Sequence, residues 1–323
     1  MASSLVSLTC TFSVEMSKAA INPVETIIEN FLTYLLSYIC CMQGNQYLHY
    51  NGKIYSADKL LISPNNRSFR YGDGFFETMK MVNGKILLVD YHFERLFTSL
   101  ELLQFEKPNY FTADYLRKNI EELAKKNDHS KLARVRLMIF RGDGGLYDPE
   151  NHFPNHLIQT WELNPSNNIL NENGLVIDIF KDARKACDNY SHLKSNNYLS
   201  YAMAALWAKK QHLNDALLLN NYNRIADATI ANVFIVKKGV VKTPALNEGC
   251  VSGVMRRHLL KCMREENMPV EETAIEADEL LQASEVFLSN GIYGIRWVKS
   301  CGGSNYTNQL SELLHKRYAR TLF

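Results

Sequence analysis

A lone lysine is usually a solvated charge, but Lys194 stands in LKSNNYLSYAMAALWA, apolar residues on one side and small polar ones on the other. A lysine so placed can serve as a nucleophile or proton shuttle if its pKa falls from about 10.4. Arg95, in HFERLFTSLELL, reads on its own as a surface arginine of an amphipathic helix. Asp227, in RIADATIANVFIV, offers a carboxylate that could equally cap a turn. Arg134, Arg136 and Arg141, in RVRLMIFRGDGG, could take a substrate carboxylate or make surface ion pairs. Gly72-Asp73-Gly74 reads as a tight turn before it reads as a phosphate cradle. The histidines lack HxxxH and HxH spacing, no CxxC pair exists and GxSxG is missing. Metal, zinc-ribbon and serine-nucleophile chemistry therefore lack support.

The elements that must position these residues are those of an ordinary globular chain. Its 323 residues are 46% hydrophobic and 22% charged, and 36 basic against 34 acidic residues give net +2. That composition excludes a disordered or fibrous chain. So balanced a charge gives no footing for a nucleic-acid surface. Seven cysteines, with Cys40 and Cys41 adjacent, read as free thiols in a reducing cytosol, and a cytoplasmic location is expected. The apolar run Val24–Met42 is broken by Glu25, Glu29 and Asn30, too short and too charged to span a membrane.

Periodicity begins at Tyr47. Tyr47–Ile54 alternates around Asn51-Gly52 and predicts a hairpin, and the strand Gly74–Val82 meets a second Asn-Gly turn. Helices are expected over Tyr91–Leu103, Asp114–Lys125, Ser252–Glu266 and Gln309–Leu322, with one after Lys194. Strands are expected at Leu132–Phe140, His156–Leu163 and Gly174–Phe180, then at Ala216–Leu219, Ile225–Asp227, Val233–Val236, Val240–Thr243, Glu285–Ser289 and Gly294–Lys299. The polar stretch Pro165–Asn173 reads as a linker. The expectation is an α/β (α+β) chain with an N-terminal extension over 1–42, a smaller domain over 43–164, a loop over 165–173 and a larger domain over 174–323.

Taken in order, these motifs resemble the class IV aminotransferases, the fold type IV pyridoxal-phosphate enzymes. That family includes branched-chain and D-amino-acid aminotransferases and aminodeoxychorismate lyases, and the resemblance runs from about Tyr47 to the C-terminus. It implies pyridoxal 5'-phosphate as cofactor, a two-domain fold and a homodimer. It makes Lys194 the catalytic Schiff-base lysine and Arg95 the phosphate-binding arginine. Gly253, Val254 and Met255 become the phosphate turn, and Asn290 and Gly291 its neighbours. Asp227 takes the ring-nitrogen position, where the family usually has glutamate. The missing methylene shortens the reach by about 1.5 Å, so either the strand sits closer or a water bridges.

For the reaction, Phe76, Glu77 and Arg136 are the expected substrate-binding residues. Glu77, in FFET, matches transaminases, and Arg136 matches an arginine kept by branched-chain enzymes. Lyases of enteric type carry threonine at the first position, and an arginine in the loop where this chain has Gly144-Gly145-Leu146-Tyr147. Ser289-Asn290-Gly291-Ile292 is closer to the lyases. The sequence favours amino transfer between an amino acid, branched-chain-like, and a 2-oxo acid. Aminodeoxychorismate lyase comes second and a non-catalytic cofactor-binding scaffold third. Nucleic acid, membrane and metal are not expected partners.

Overall fold

In the computed structural model, residues 47–60 and 62–322 are described; the extension expected over 1–42 lies outside them. The first half builds a six-stranded sheet. Its strands are β1 (Tyr47–Tyr50), β2 (Lys53–Ser56), β3 (Gly74–Val82), β4 (Lys85–Ile86), β5 (Leu132–Arg141) and β6 (Pro154–Glu162), in the order β2-β1-β6-β5-β3-β4. Both Asn-Gly turns carry the left-handed pair that a two-residue hairpin needs: φ is 46° and 86° at Asn51-Gly52, and 48° and 76° at Asn83-Gly84. Three helices belong to this half: α1 (Arg67–Tyr71), α2 (Val89–Leu102) and α3 (Ala113–Lys126).

Strand alternation decides which residues face the core. On β5, Ala133, Val135, Leu137 and Ile139 are buried against Leu96 and Leu100 of α2 and Leu116, Ile120 and Leu123 of α3. The opposite face of β5 carries Arg134, Arg136, Met138 and Phe140, all of which line a cavity.

The second half builds a nine-stranded sheet. Its strands are β7 (Leu175–Lys185), β8 (Asp215–Asn220), β9 (Ile225–Ala228), β10 (Asn232–Lys237), β11 (Val240–Pro244), β12 (Val270–Thr273), β13 (Glu285–Asn290), β14 (Gly294–Cys301) and β15 (Ser304–Asn305). The order is β12-β11-β10-β13-β14-β7-β8-β9, with β15 on β14. Helix α4 (Leu199–Lys210) follows β7, α5 (Val254–Glu265) follows β11, and α6 (Ala277–Leu281) and α7 (Gln309–Leu314) come later. Met255, Leu259 and Met263 of α5 bury against Phe234 and Phe287 of the sheet. Both halves lie within one compact unit, Asn45–Phe323.

Several elements depart from expectation. The terminal helix is α-helical only to Leu314 and continues as a wider π turn over His315–Ala319. The loop after Asn164 opens with a 3-10 turn, Pro165–Asn168, capped by the Asn164 side chain. Gly72 is not a phosphate cradle. It sits at φ 68° as the left-handed cap of α1. Asp73 beside it accepts from Arg67 Nε at 2.8 Å and Arg141 Nε at 3.1 Å. Arg141 also donates to the carbonyls of Leu103 and Gln104, so it holds the end of α2 and does not face the cavity.

The four described cysteines are free thiols. Among the described residues no helix is long and apolar enough to cross a membrane, and no cluster of His, Cys, Asp or Glu is placed to hold a metal ion.

Candidate active site

A cavity of about 840 Å³ lies between the two halves. The segment after β7 brings Lys194 to it by running along β3. Phe76 N donates to Lys194 O at 3.0 Å and Asn196 N to Gly74 O at 2.9 Å. Gly74 must be small here, because a Cβ would lie 2.4 Å from Ile139 O and 2.8 Å from Asn196 Nδ2. The Lys194 ammonium donates to Tyr198 Oη at 3.0 Å and sits 4.8 Å from the centre of the Phe76 ring. Open only to the cavity, it is poorly solvated. Burial, helped by the positive charge of Arg95, brings its pKa down to about 8.

At one end of the cavity stands Arg95, projecting from α2. Its Nε and one terminal nitrogen grip Glu77 at 2.7 and 2.5 Å, and the other donates to Ser252 O at 2.8 Å. Two of its five N–H groups stay uncommitted. Next to it α5 begins at Val254, with Gly253 as cap and no side-chain cap bond. The first intrahelical donor is Arg257, so the N–H groups of Val254, Met255 and Arg256 have no helical acceptor. A helix start and a guanidinium side by side favour an anion. Gly253 is needed for space: a Cβ there would lie 1.9 Å from Asn232 Oδ1. Gly253 and Val254 line the cavity; Met255 contributes backbone only, its side chain being buried in the core. Gly291 lines the cavity too, and a Cβ on it would stand 3.7 Å from His92 Nε2. Asn290 spends its side chain on a turn, its Oδ1 accepting from the N–H groups of Ile292 and Tyr293.

Glu77 is not where the sequence reading put it. Phe76 and Thr78 face the cavity, whereas Glu77 points the other way with Phe75, Met79 and Met81 and is 1% exposed. His92 Nδ1 lies 2.6 Å from its Oε2. Burial works to raise its pKa, but Arg95 and His92 outweigh that and hold it at about 2. Glu77 thus positions Arg95 and cannot touch a substrate.

At the other side of the cavity Asp227 is 2% exposed. Its Oδ2 accepts from Tyr201 Oη at 3.0 Å and from Val251 N at 2.8 Å, and its Oδ1 from Asn232 Nδ2 at 2.9 Å. Desolvation raises its pKa to about 6, against the pull of Lys185. Tyr201 stacks on Tyr198 with ring centres 4.5 Å apart. Tyr198, Tyr201 and Asn232, none of them singled out from sequence, complete this wall. The polar-then-aromatic run after Lys194, Ser195-Asn196-Asn197-Tyr198, with Tyr201 three further on, is the available signal for the two tyrosines.

On the β5 wall, Arg136 lies over the Phe76 ring at 4.0 Å and Arg134 over Trp161 at 4.3 Å. Neither makes an ion pair with an acidic side chain among the described residues. Two buried polar atoms of cavity residues also lack partners, Ser289 Oγ and Asn196 Oδ1. Buried polar atoms are nearly always satisfied, so both are available to bond a group held in the cavity.

Residues 74–301 match the family described as amino-transferase class IV. The chain is 29% identical over 289 residues to an aminodeoxychorismate lyase of Bacillus subtilis, covering 85% of this chain and 95% of that one. It is 25% identical over 248 residues to a D-alanine aminotransferase of Listeria monocytogenes, covering 74% and 82%. Its fold matches the crystal structure of a branched-chain aminotransferase from Thermoproteus uzoniensis, with a TM-score of 0.77 at 21% identity and coverage of 85% and 94%. With the family matched over most of its length and the cavity built as above, the chain belongs to the class IV aminotransferases and is a pyridoxal-phosphate enzyme.

Proposed function

We propose that the protein moves an amino group between an amino acid and a 2-oxo acid. The observation that carries this reading is Arg136, which lines the cavity with Lys194 and has no acidic partner among the described residues. A guanidinium so placed receives a substrate carboxylate in bidentate fashion. Thr78 is its cross-strand neighbour, and Phe76 packs beneath it.

The residues present fit pyridoxal phosphate. The bare start of α5 and the two free N–H groups of Arg95 suit its phosphate, Asp227 its ring nitrogen and Lys194 its aldehyde. The unpartnered Ser289 Oγ adds a polar atom inside the same cavity. When bound, the cofactor supplies an electron sink for the bond broken at the substrate's α-carbon. Lys194 Nζ would take the α-proton and pass it on to a different carbon, since amino transfer leaves no hydrogen on the substrate's α-carbon. Near neutral pH a lysine held at about 8 keeps a useful neutral fraction. Tyr198 Oη accepts from Lys194 Nζ and fixes its direction. Arg136 orients the substrate by its carboxylate, and Phe76 shields the reacting lysine from water.

A second reading is cleavage of the aminodeoxychorismate type. It is supported by the Bacillus subtilis relative and by Ser289-Asn290-Gly291-Ile292 at the cavity wall. The position of Glu77 removes one argument for transaminases, since that side chain does not meet substrate. An assay of amino donors with 2-oxoglutarate, run beside an aminodeoxychorismate assay, decides. Amino transfer with branched-chain donors is expected, and release of 4-aminobenzoate alone would replace the first reading with the second. The exposed apolar row Leu199, Met203 and Leu206 on α4 supports a homodimer; light scattering at micromolar concentration tests it.

A further inference from the structure

Behind Asp227 lies a cation that the proposed reaction does not use. Lys185, at the end of β7, donates to Tyr201 Oη at 2.6 Å and to Ser191 O at 3.3 Å. Its ammonium also lies 4.8 Å from the centre of the Tyr201 ring. Tyr201 in turn donates to Asp227. An ammonium is a donor only, and a phenol has a single hydrogen. With Lys185 occupying its acceptor side, the Tyr201 hydrogen points at Asp227 and cannot turn away. The other two donors are fixed as well. Val251 N–H is backbone, and the Asn232 amide is oriented by its second bond, Nδ2 to Val251 O at 2.7 Å. Three one-way donors converge on the carboxylate, and each bonds the ionised form more strongly than the neutral acid.

We infer that Lys185 is a positioning residue that holds Asp227 ionised through Tyr201, supplying from behind the positive charge that no side chain gives Asp227 by direct contact. The titratable and charged groups around Asp227 are Lys185 from β7, Lys194 and the capping Tyr198 from the following segment, Tyr201 from α4 and Cys250 before α5. Lys194 is the other cation among them, and it is directed to Tyr198. Asp188 is the acid that shares the Lys185 field, from the turn beyond β7. The inference concerns the charge of Asp227, and only its consequence for catalysis rests on Asp227 facing the cofactor ring.

The test is a pH titration of the holoenzyme by difference infrared spectroscopy, the protonated-carboxyl band being assigned by its loss in Asp227→Asn. In Lys185→Met the midpoint of that band is expected to rise by at least about one pH unit, a tenfold gain in proton affinity. Lys185→Arg is expected to restore it. Tyr201→Phe, which keeps the lysine but removes the relay hydroxyl, is expected to move it in the same direction, and it serves as the test if Lys185→Met does not fold. A midpoint unchanged in the folded Lys185→Met protein overturns the inference, as does an unchanged midpoint in Tyr201→Phe where that variant stands in. If Asp227→Asn keeps full turnover, the ring-nitrogen reading fails while the titration still decides the role of Lys185.

Discussion

Glu77 and Asp227 are both buried carboxylates at the edge of one cavity, and the fold treats them in opposite ways. Glu77, from the six-stranded sheet, is gripped directly by the Arg95 guanidinium and held at about 2. Asp227, from the nine-stranded sheet, is touched only by uncharged donors and is raised to about 6. Burial alone does not set the state of an acid; the charge of its nearest partner does. The first arrangement makes a rigid brace. The second keeps a carboxylate whose remaining acceptor capacity faces the cavity.

The largest expected effect is on the brace. Glu77→Gln keeps the shape but leaves Arg95 buried without its counter-ion, a loss of about 3–5 kcal/mol. Urea denaturation is expected to show it, together with weaker cofactor retention; a loss below about 1 kcal/mol would remove the contrast. Asp227→Asn is expected to leave the fold intact and slow turnover by about tenfold to a hundredfold. A charge-assisted hydrogen bond is worth roughly 1.5–3 kcal/mol, and each 1.36 kcal/mol is about a factor of ten in rate. Steady-state kinetics beside circular dichroism separates these effects, and turnover within twofold of wild type would make Asp227 a structural residue.

Asp227→Glu sharpens the comparison further. The added methylene carries the carboxylate out of register with Tyr201, Asn232 and Val251, so cofactor affinity is expected to fall by about tenfold or less, the worth of one such bond. Higher affinity in an equilibrium titration would show that the extra reach matters more than the lost donors.

The smallest effect is on stability against pH, where the two acids have opposite signs. Glu77 is lowered from 4.5 to about 2, so its contribution is present above pH 4.5 and is lost as pH falls towards 2. Asp227 is raised from 3.8 to about 6, so its burial costs stability above pH 6, and that cost is relieved as pH falls towards 3.8. Asp227→Asn is expected to flatten the upper window and Glu77→Gln the lower one. Denaturation midpoints taken at intervals of half a pH unit check both.

Lys194, Arg95, Asp227, Gly253 and Gly291 were legible in the sequence because each sits in a short motif whose neighbours carry the same message, and the structure brings all five to one cavity. The FFET motif taken without its strand does not show that Glu77 faces inward. In FFETMKMV the alternate residues Phe75, Met79 and Met81 are core-facing, and an acid in that row must be paired inside. His92 and Arg95, three apart on α2, are that pairing. Lys185 left no such trace. Tyr201 and Asp227 lie 16 and 42 positions away from it, and the pairing of β7 with β8 and of β8 with β9 leaves its strand one removed from the strand that carries Asp227. The bulge between Phe180 and Arg184 also hid how far β7 runs. Hairpins and helices were readable from local turn chemistry and period, whereas β12 and α6 are too short to show one.

The Arg67 side chain, 4% exposed, has a consequence for how the cavity mouth behaves. Its nitrogens donate to Asp73 and to the carbonyls of Gly144, Leu146 and Tyr147. One side chain thereby fastens the turn that leads into β3 to the loop that follows β5. Leu146 and Tyr147, 69% and 88% exposed, ride on that loop, and Phe69, 78% exposed, on α1 beside it. Phe69, which lines the cavity, is therefore held beside a loop that is tied down before any substrate arrives, and the entropy of ordering that segment is not charged to binding. Exchanging a fringe side chain for another selects substrates by fit, while Arg67→Ala would turn a firm gateway into a loose one and cost affinity for every substrate alike.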